Sequence, residues 1–395
     1  MRLNKVPFGE FAHVQPSVPL ERGAPYAFIA MEDVEPRRRS VAPGSERIWD
    51  GGGGARFENG DVLFARITPC LEHGKTSQVE NLPGGAGFGS TEFFVFRERP
   101  GISDSRYIYY LSCSDALREP AIKSMIGASG RQRAQRIVVE ETLVPAPPLL
   151  VQRKIADVLS GYDDLIENNR RRMALLEDAA RQLYGEWFVH LRFPGHEHTR
   201  ITNGVPRGWT AKTLGDLCRE VRETVHPKAL DPDTPYIGLE HMPRRAISLS
   251  DWGTAEQVSS SKHRFREGEI LFGKIRPYFH KVGIAFVDGV ASSDAIVIRP
   301  LEQTLRGFVL LTVSSDPFVA VTAQTMKEGS KMPRADWKQM QAYPTPLPPA
   351  GLLGSFENAI QPILEQLKTL TFANQKLRAA RDLLLPRLMS GQVAV

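Results

Sequence analysis

Two stretches of this chain, 208 residues apart, carry nearly the same string. Arg56-Phe57-Glu58-Asn59-Gly60-Asp61-Val62-Leu63-Phe64-Ala65-Arg66-Ile67-Thr68-Pro69 recurs as Arg264-Phe265-Arg266-Glu267-Gly268-Glu269-Ile270-Leu271-Phe272-Gly273-Lys274-Ile275-Arg276-Pro277. Later landmarks recur too: Pro145, Pro147 and Pro148 are answered by Pro346, Pro348 and Pro349, now 201 residues on, and a long helical pattern follows each cluster. A repeat of this size implies two similar units, each closing in a helix, with a built-in pseudo-symmetry. Two-fold objects suit two-fold partners, and duplex DNA with two half-sites is the commonest of these.

A chain of 395 residues has room for two or three domains, and 42% apolar with 24% charged residues is ordinary for a globular protein. Fifty basic against 45 acidic residues leave a net charge of +5, which permits nucleic-acid binding without demanding it. Cys70, Cys113 and Cys218 are few, distant and odd in number, so neither a disulfide framework nor a zinc site is expected and a reducing cytoplasm is. The start, Met1 to Phe8, has no apolar signal core, and no run of about eighteen apolar residues suggests a membrane span.

Residues 1–148 read as a mixed α/β unit. Tyr26–Ala30, Asp61–Ile67 and Glu92–Arg97 are short β-branched or aromatic runs bounded by Gly, Pro or Asp, hence strands, and Tyr107 to about Ile126 reads as a helix. Residues 149–192 form one long helix without an internal proline, broken at Phe193-Pro194-Gly195. Residues 193–349 hold a linker and the second unit, with strands at Pro235–Leu239, Glu269–Ile275 and Ala295–Arg299. Residues 350–395 end in a second helix, where Pro362 is expected to kink the helix or displace its start and Pro386 to mark its fraying end.

In the first helix Ile155, Leu159, Tyr162, Ile166, Asn169, Met173, Leu176, Ala180, Leu183 and Trp187 follow a 4-3 alternation, an a/d seam of more than four heptads. The second repeats it with Phe356, Ile360, Ile363, Leu367, Leu370, Asn374, Leu377, Arg381, Leu384 and Leu388. Run antiparallel, with paired residue numbers summing to 543, Ile155 meets Leu388, Ile166 meets Leu377, Trp187 meets Phe356 and Asn169 meets Asn374. An amide opposite an amide satisfies itself, so the asparagines are expected to set the register; the plainer alternative leaves each facing a solvated end or another chain. Asp163, Asp164 and Glu167 are expected on the outer surface of the coil. About 40 residues of helix span about 60 Å, more than one 34 Å turn of B-DNA, so the rods suit a ruler holding two reading heads. A dimerisation coil or plain scaffold remains the other use of such helices.

The chain resembles the specificity subunit of type I DNA restriction-modification enzymes. The resemblance rests on Pro147-Pro148-Leu149-Leu150-Val151-Gln152-Arg153-Lys154-Ile155 through Tyr162-Asp163-Asp164-Leu165-Ile166-Glu167-Asn168-Asn169 to Leu183-Tyr184-Gly185-Glu186-Trp187, which is similar to that family's central spacer. Leu384-Leu385-Pro386-Arg387-Leu388-Met389-Ser390-Gly391 is similar to its distal spacer, and Val205-Pro206-Arg207-Gly208-Trp209 to the opening of its second target-recognition domain. The first domain lacks that Pro-x-Gly-Trp entry. The resemblance implies an α+β architecture: two pseudo-symmetric mixed α/β target-recognition domains separated by two long helices packed as an antiparallel coiled coil. It implies that each domain reads one half of a split DNA target. The helices set the gap and dock two methyltransferase subunits, and nuclease/translocase subunits then join. The chain itself is expected to do no chemistry and to hold no cofactor; S-adenosylmethionine, ATP and magnesium belong to the partners. The rival readings are a coiled-coil scaffold with protein-binding heads, and an orphan nuclease or modification enzyme.

The repeat points to two basic loops per head as the DNA-binding candidates. One follows the shared strand: Arg66 and Lys75 in the first copy, Lys274, Arg276 and Lys281 in the second. The other precedes the prolines: Arg131, Gln132, Arg133 and Arg136, and then Lys327, Lys331 and Arg334. Arg binds guanine bidentately, Gln binds adenine and Lys neutralises phosphate. Tyr278, Phe279 and His280 are expected to add aromatic or polar contacts. The helix-packing candidates are Ile155, Leu159, Ile166, Asn169, Leu176, Trp187, Phe356, Ile363, Asn374, Leu377 and Leu388. His73-Gly74-Lys75-Thr76 lacks the first glycine of a phosphate loop, and Ser315-Asp316-Pro317-Phe318 lacks the second proline of an adenine-methyltransferase motif. Asp61 and Glu269, at matched positions after a Gly turn, read as strand-entry residues rather than catalytic ones.

Overall fold

The computed structural model describes residues 4–324 and 334–395. The chain divides into two compact units: residues up to Glu167 together with Gln375–Val395, and Asn168–Asn374.

The first unit is built on a five-stranded sheet in the order Ala12–Val14, Phe93–Glu98, Val62–Ala65, Thr76–Val79, Ser40–Val41, with only the last strand parallel to its neighbour. A four-stranded sheet, Ser45–Ile48, Pro25–Ile29, Ala86–Gly89, Ala55–Glu58, completes it. Val62-Leu63-Phe64-Ala65 is buried on both faces, and its alternation divides it between two cores. Val62 and Phe64 join Phe94, Phe96 and the helix residues Ile155 and Leu159, while Leu63 joins Phe93, Val95 and Phe57.

The second unit repeats the plan. Its five-stranded sheet runs Cys218–Val221, Ala295–Pro300, Ile270–Gly273, Val282–Ala285, Ser248–Leu249, again with a parallel last strand. Its second sheet runs Thr224–Val225, Lys262–Phe265, Gly289–Ala291, Pro235–Ile237, Gly253–Thr254. Ile270 and Phe272 face the core shared with Phe356 and Ile360, whereas Leu271 faces the other side with Val297 and Phe265.

The expected helix from Tyr107 is two helices, Ser105–Cys113 and Asp115–Lys123. Asp104 caps the first, accepting from the backbone N–H groups of Arg106 and Tyr107. Ser114 then leaves the helix at φ −82°, ψ 157°, and its hydroxyl donates back to the Leu111 carbonyl at 2.7 Å, which ends the turn.

The central helix spans Leu149–Tyr184 and continues as a π turn over Gly185–Val189. The distal helix spans Ala350–Met389. Pro362 does not displace its start: Pro362 is exposed, and the burial of Phe356, Ile360, Leu364 and Leu367 offsets the lost backbone bond. In the first unit Ile155, Leu159 and Leu388 share one core, and Ile166 is buried. Leu377 is half-buried. In the second unit Leu176, Trp187, Phe356 and Ile363 share the other core, with the Trp187 and Phe356 rings 5.6 Å apart. Asn169 Nδ2 donates to Asn374 Oδ1 at 2.9 Å.

Asp163, Asp164 and Glu167 are not simply solvated. Asp163 is buried against Arg381, Asp164 accepts from Arg39 at 2.6 Å and Glu167 from Arg38 at 2.9 Å. Periodicity placed these residues off the seam, but the sheet unit packs onto that face of the helix and brings its own arginines to meet them.

Candidate nucleic-acid interface

In the first unit the chain leaves the strand Val62–Ala65 at Arg66, and the loop before the proline cluster returns beside it. The Ala134 N–H donates to the Arg66 carbonyl at 2.8 Å, the Thr68 N–H to the Gln132 carbonyl at 2.9 Å, and the Arg66 N–H to the Glu92 carbonyl at 2.9 Å. The second unit builds the same junction. The Ala335 N–H donates to the Lys274 carbonyl at 2.9 Å and the Lys274 N–H to the Asp294 carbonyl at 2.7 Å. Residues separated by about 65 positions in sequence are thus tied into one basic ledge at the end of each five-stranded sheet.

The side chains are unequally available. Arg131 is exposed and Gln132 half-buried. Arg133 forms a forked ion pair with Glu92, Nε to Oε2 at 2.9 Å and Nη2 to Oε1 at 2.6 Å. The Arg133 hydrogen bond holds the Glu92 carboxyl below its usual range. Arg66 lies 5.0 Å over the Phe94 ring with its Nε 4.0 Å from Glu92. Arg136 is bound to Glu140 at 2.8 Å and to the Val14 carbonyl at 3.1 Å. Lys75 is already engaged within the unit, donating to the Met31 carbonyl at 2.8 Å.

In the second unit Arg334 pairs with Asp294 at 3.3 Å. Lys274 Nζ donates to the Ser293 carbonyl at 3.2 Å, and burial pushes its pKa down. Lys281 donates to the Leu239 carbonyl at 2.5 Å, and burial, with Arg244 nearby, lowers its pKa also. Arg276 is exposed, in the left-handed region at φ 49°, with its guanidinium 5.8 Å from the Phe279 ring. Tyr278 is exposed. His280 is not a surface contact: it is buried, with Nε2 2.7 Å from the Ser314 carbonyl oxygen. Lys327 and Lys331 lie outside the described residues.

Asp61 and Glu269 behave as strand-entry residues. Each accepts the backbone N–H three residues upstream, at 2.7 and 2.9 Å, and each pairs with an arginine of the neighbouring strand, Arg97 and Arg299. Among the described residues no group of three or more His, Cys, Asp or Glu side chains stands where it could hold a metal ion. No single described helix is long and apolar enough to cross a membrane. The residues that sequence reasoning missed are Glu92 and Asp294. Their signal lay in the repeat: each stands just before the strand that follows the shared motif, Phe93–Glu98 or Ala295–Pro300.

A profile described as the type I restriction modification DNA specificity domain matches residues 29–178, which takes in the first ledge and most of the central helix. Over that stretch the chain is similar to the type I specificity-subunit family. It is 25% identical over 308 residues to the type I restriction enzyme MjaIX specificity subunit of Methanocaldococcus jannaschii, covering 74% of this chain and 69% of that one. It is 30% identical over 131 residues to the EcoAI specificity subunit of Escherichia coli, covering 33% of this chain and 22% of that one. The crystal structure of a type I restriction-modification S subunit from M. genitalium shares the fold. It matches with a TM-score of 0.52 at 14% identity, covering 98% of this chain and 96% of that one.

Proposed function

We propose that this chain is the DNA-reading subunit of a type I restriction-modification assembly, each ledge reading one half of a bipartite target. The observation that carries this reading is the duplication of the ledge itself: two loops remote in sequence joined by the same backbone bonds in both units. Sequence is read by side chains at base edges, whereas phosphate contacts only position the protein. A ledge of exposed Arg131 and half-buried Gln132, and one of exposed Arg276 and Arg334, supply both kinds of contact.

The central and distal helices act in this proposal as an antiparallel coiled coil that sets the gap between half-sites. The Asn169–Asn374 bond and the Trp187–Phe356 contact support that pairing, because higher numbers on one helix meet lower numbers on the other. The spacers would dock two methyltransferase subunits, with nuclease/translocase subunits joining in the cytoplasm. S-adenosylmethionine, ATP and magnesium would be held by those partners, and no bond-making step is assigned to this chain.

The test is selection of bound duplexes from a randomised library by the full chain with its methyltransferase partner, at two salt concentrations. The expected result is a motif in two parts with a constant gap, and affinity that falls steeply with salt. Binding without sequence preference, or none, overturns the reading in favour of a scaffold. Cleavage or methylation by the lone chain overturns it in favour of an enzyme.

A further inference from the structure

Carboxylates are unexpected in a ledge that must approach phosphates, yet both units place one at the same point. Glu92 and Asp294 each give their backbone carbonyl to the basic residue that ends the shared strand, Arg66 or Lys274. Each then pairs through its side chain with the arginine of the returning loop, Arg133 or Arg334. The two strings around them differ, Ser90-Thr91-Glu92-Phe93 against Ser292-Ser293-Asp294-Ala295. The acid and its arginine partner recur although the neighbours have changed.

The geometry in the first unit is specific. Glu92 takes Nε and Nη2 of Arg133, the side-on edge of the guanidinium. A guanidinium has five N–H donors in one plane, so the end-on edge formed by Nη1 and the second Nη2 hydrogen keeps its donors. That edge matches the two acceptors guanine shows in the major groove, O6 and N7. The Arg133 side chain is 41% exposed against 20% for Glu92, so the arginine is the outer member of the pair and the acid the inner one. Held from behind, the arginine presents a fixed fork; released, it is a flexible cation that any phosphate would satisfy.

We infer that Glu92 and Asp294 are positioning residues for specificity, each bracing an arginine, Arg133 or Arg334, so that it reads a base rather than a phosphate in its own half of the target. The inference rests on the DNA-reading function proposed above and adds the acids that function would not otherwise use. It also predicts independence: each brace governs one half-site.

The experiment is library selection by the full chain with its methyltransferase partner, comparing wild type with Glu92→Gln, Arg133→Lys and Asp294→Asn. Gln keeps the size of Glu92 but offers one acceptor where two are needed, and Lys keeps the charge of Arg133 without the fork. Both first-unit variants are expected to lose about tenfold or more of the preference for one base in one half-site. The other half-site and the salt slope should be unchanged, and Asp294→Asn should do the converse. Unchanged preference in Arg133→Lys, or an equal loss of affinity on all sequences with a shallower salt slope, overturns the inference. If Glu92→Gln fails to fold, Arg133→Lys decides alone, since its side chain is exposed. A wild-type complex that selects no motif refutes the parent function instead.

Discussion

Asp163 of the central helix and Arg381 of the distal helix form an ion pair in which each side chain keeps only 6% of its surface exposed. The Tyr110 hydroxyl donates to the same carboxylate at 2.6 Å, and Arg381 also binds Asp382 at 2.8 Å. Burial works against the charge on Arg381, but Asp163 and Asp382 outweigh it and hold the guanidinium above its usual pKa. A buried pair contributes little net stability over an apolar one, yet losing one partner strands the other charge. Asp163→Ala should therefore destabilise the first unit by about 3–5 kcal/mol, while the double change Asp163→Leu with Arg381→Leu recovers most of that. Urea denaturation checks this; a single variant within about 1 kcal/mol of wild type would contradict it.

The Asn169–Asn374 bond gives a second prediction, on the other unit. Asn374 is 4% exposed, so Asn169→Ala leaves its carbonyl oxygen without the Nδ2 donor. The expected cost is about 1–3 kcal/mol, and the double change to leucine should be near neutral in stability. A double-mutant cycle measures the coupling, expected at about 0.5 kcal/mol or more. Additive single effects would show that the two amides do not set the register together.

Lys75 and Arg131 carry the same charge but should behave oppositely. Lys75 is tied to the Met31 carbonyl, whereas Arg131 stands exposed on the ledge. Arg131→Ala should either lower the slope of log affinity against log salt by about 1 or relax sequence preference with the slope intact. Lys75→Met should do neither. Filter binding across a salt series distinguishes them, and a change of slope in Lys75→Met would reverse the assignment.

His263 offers a prediction in pH. Burial first, then Lys274, holds its ring below the usual value of 6.5. A histidine with a lowered folded pKa contributes stability that is present above the unfolded value and lost as pH falls through the folded one. The second unit should accordingly lose stability as pH drops below 6.5. Lys274→Met should move the His263 titration upward, followed by its ring proton shifts in NMR. An unmoved midpoint would mean that Lys274 exerts no field there.

The strand at Val62–Ala65 and its counterpart at Ile270–Gly273 were legible because four consecutive apolar residues after a Gly turn have few other fates. The central helix was legible because its seam holds over more than four heptads. The break at Ser114 was not, since it depends on one hydroxyl choosing its own backbone. At the candidate interface, the two basic loops of each unit were visible in the repeat, but which of their cations were already engaged was not.

What the sequence determined by itself is therefore the duplication, because two strings match residue for residue, and the strands and long helices, because each is written in residues close together along the chain. The tertiary structure alone decided how the charges are used. Arg133 meets a carboxylate 41 positions away and Arg381 one 218 positions away. Coulombic and hydrogen-bond partners are fixed by distance in space, and no periodicity in a linear string reports it.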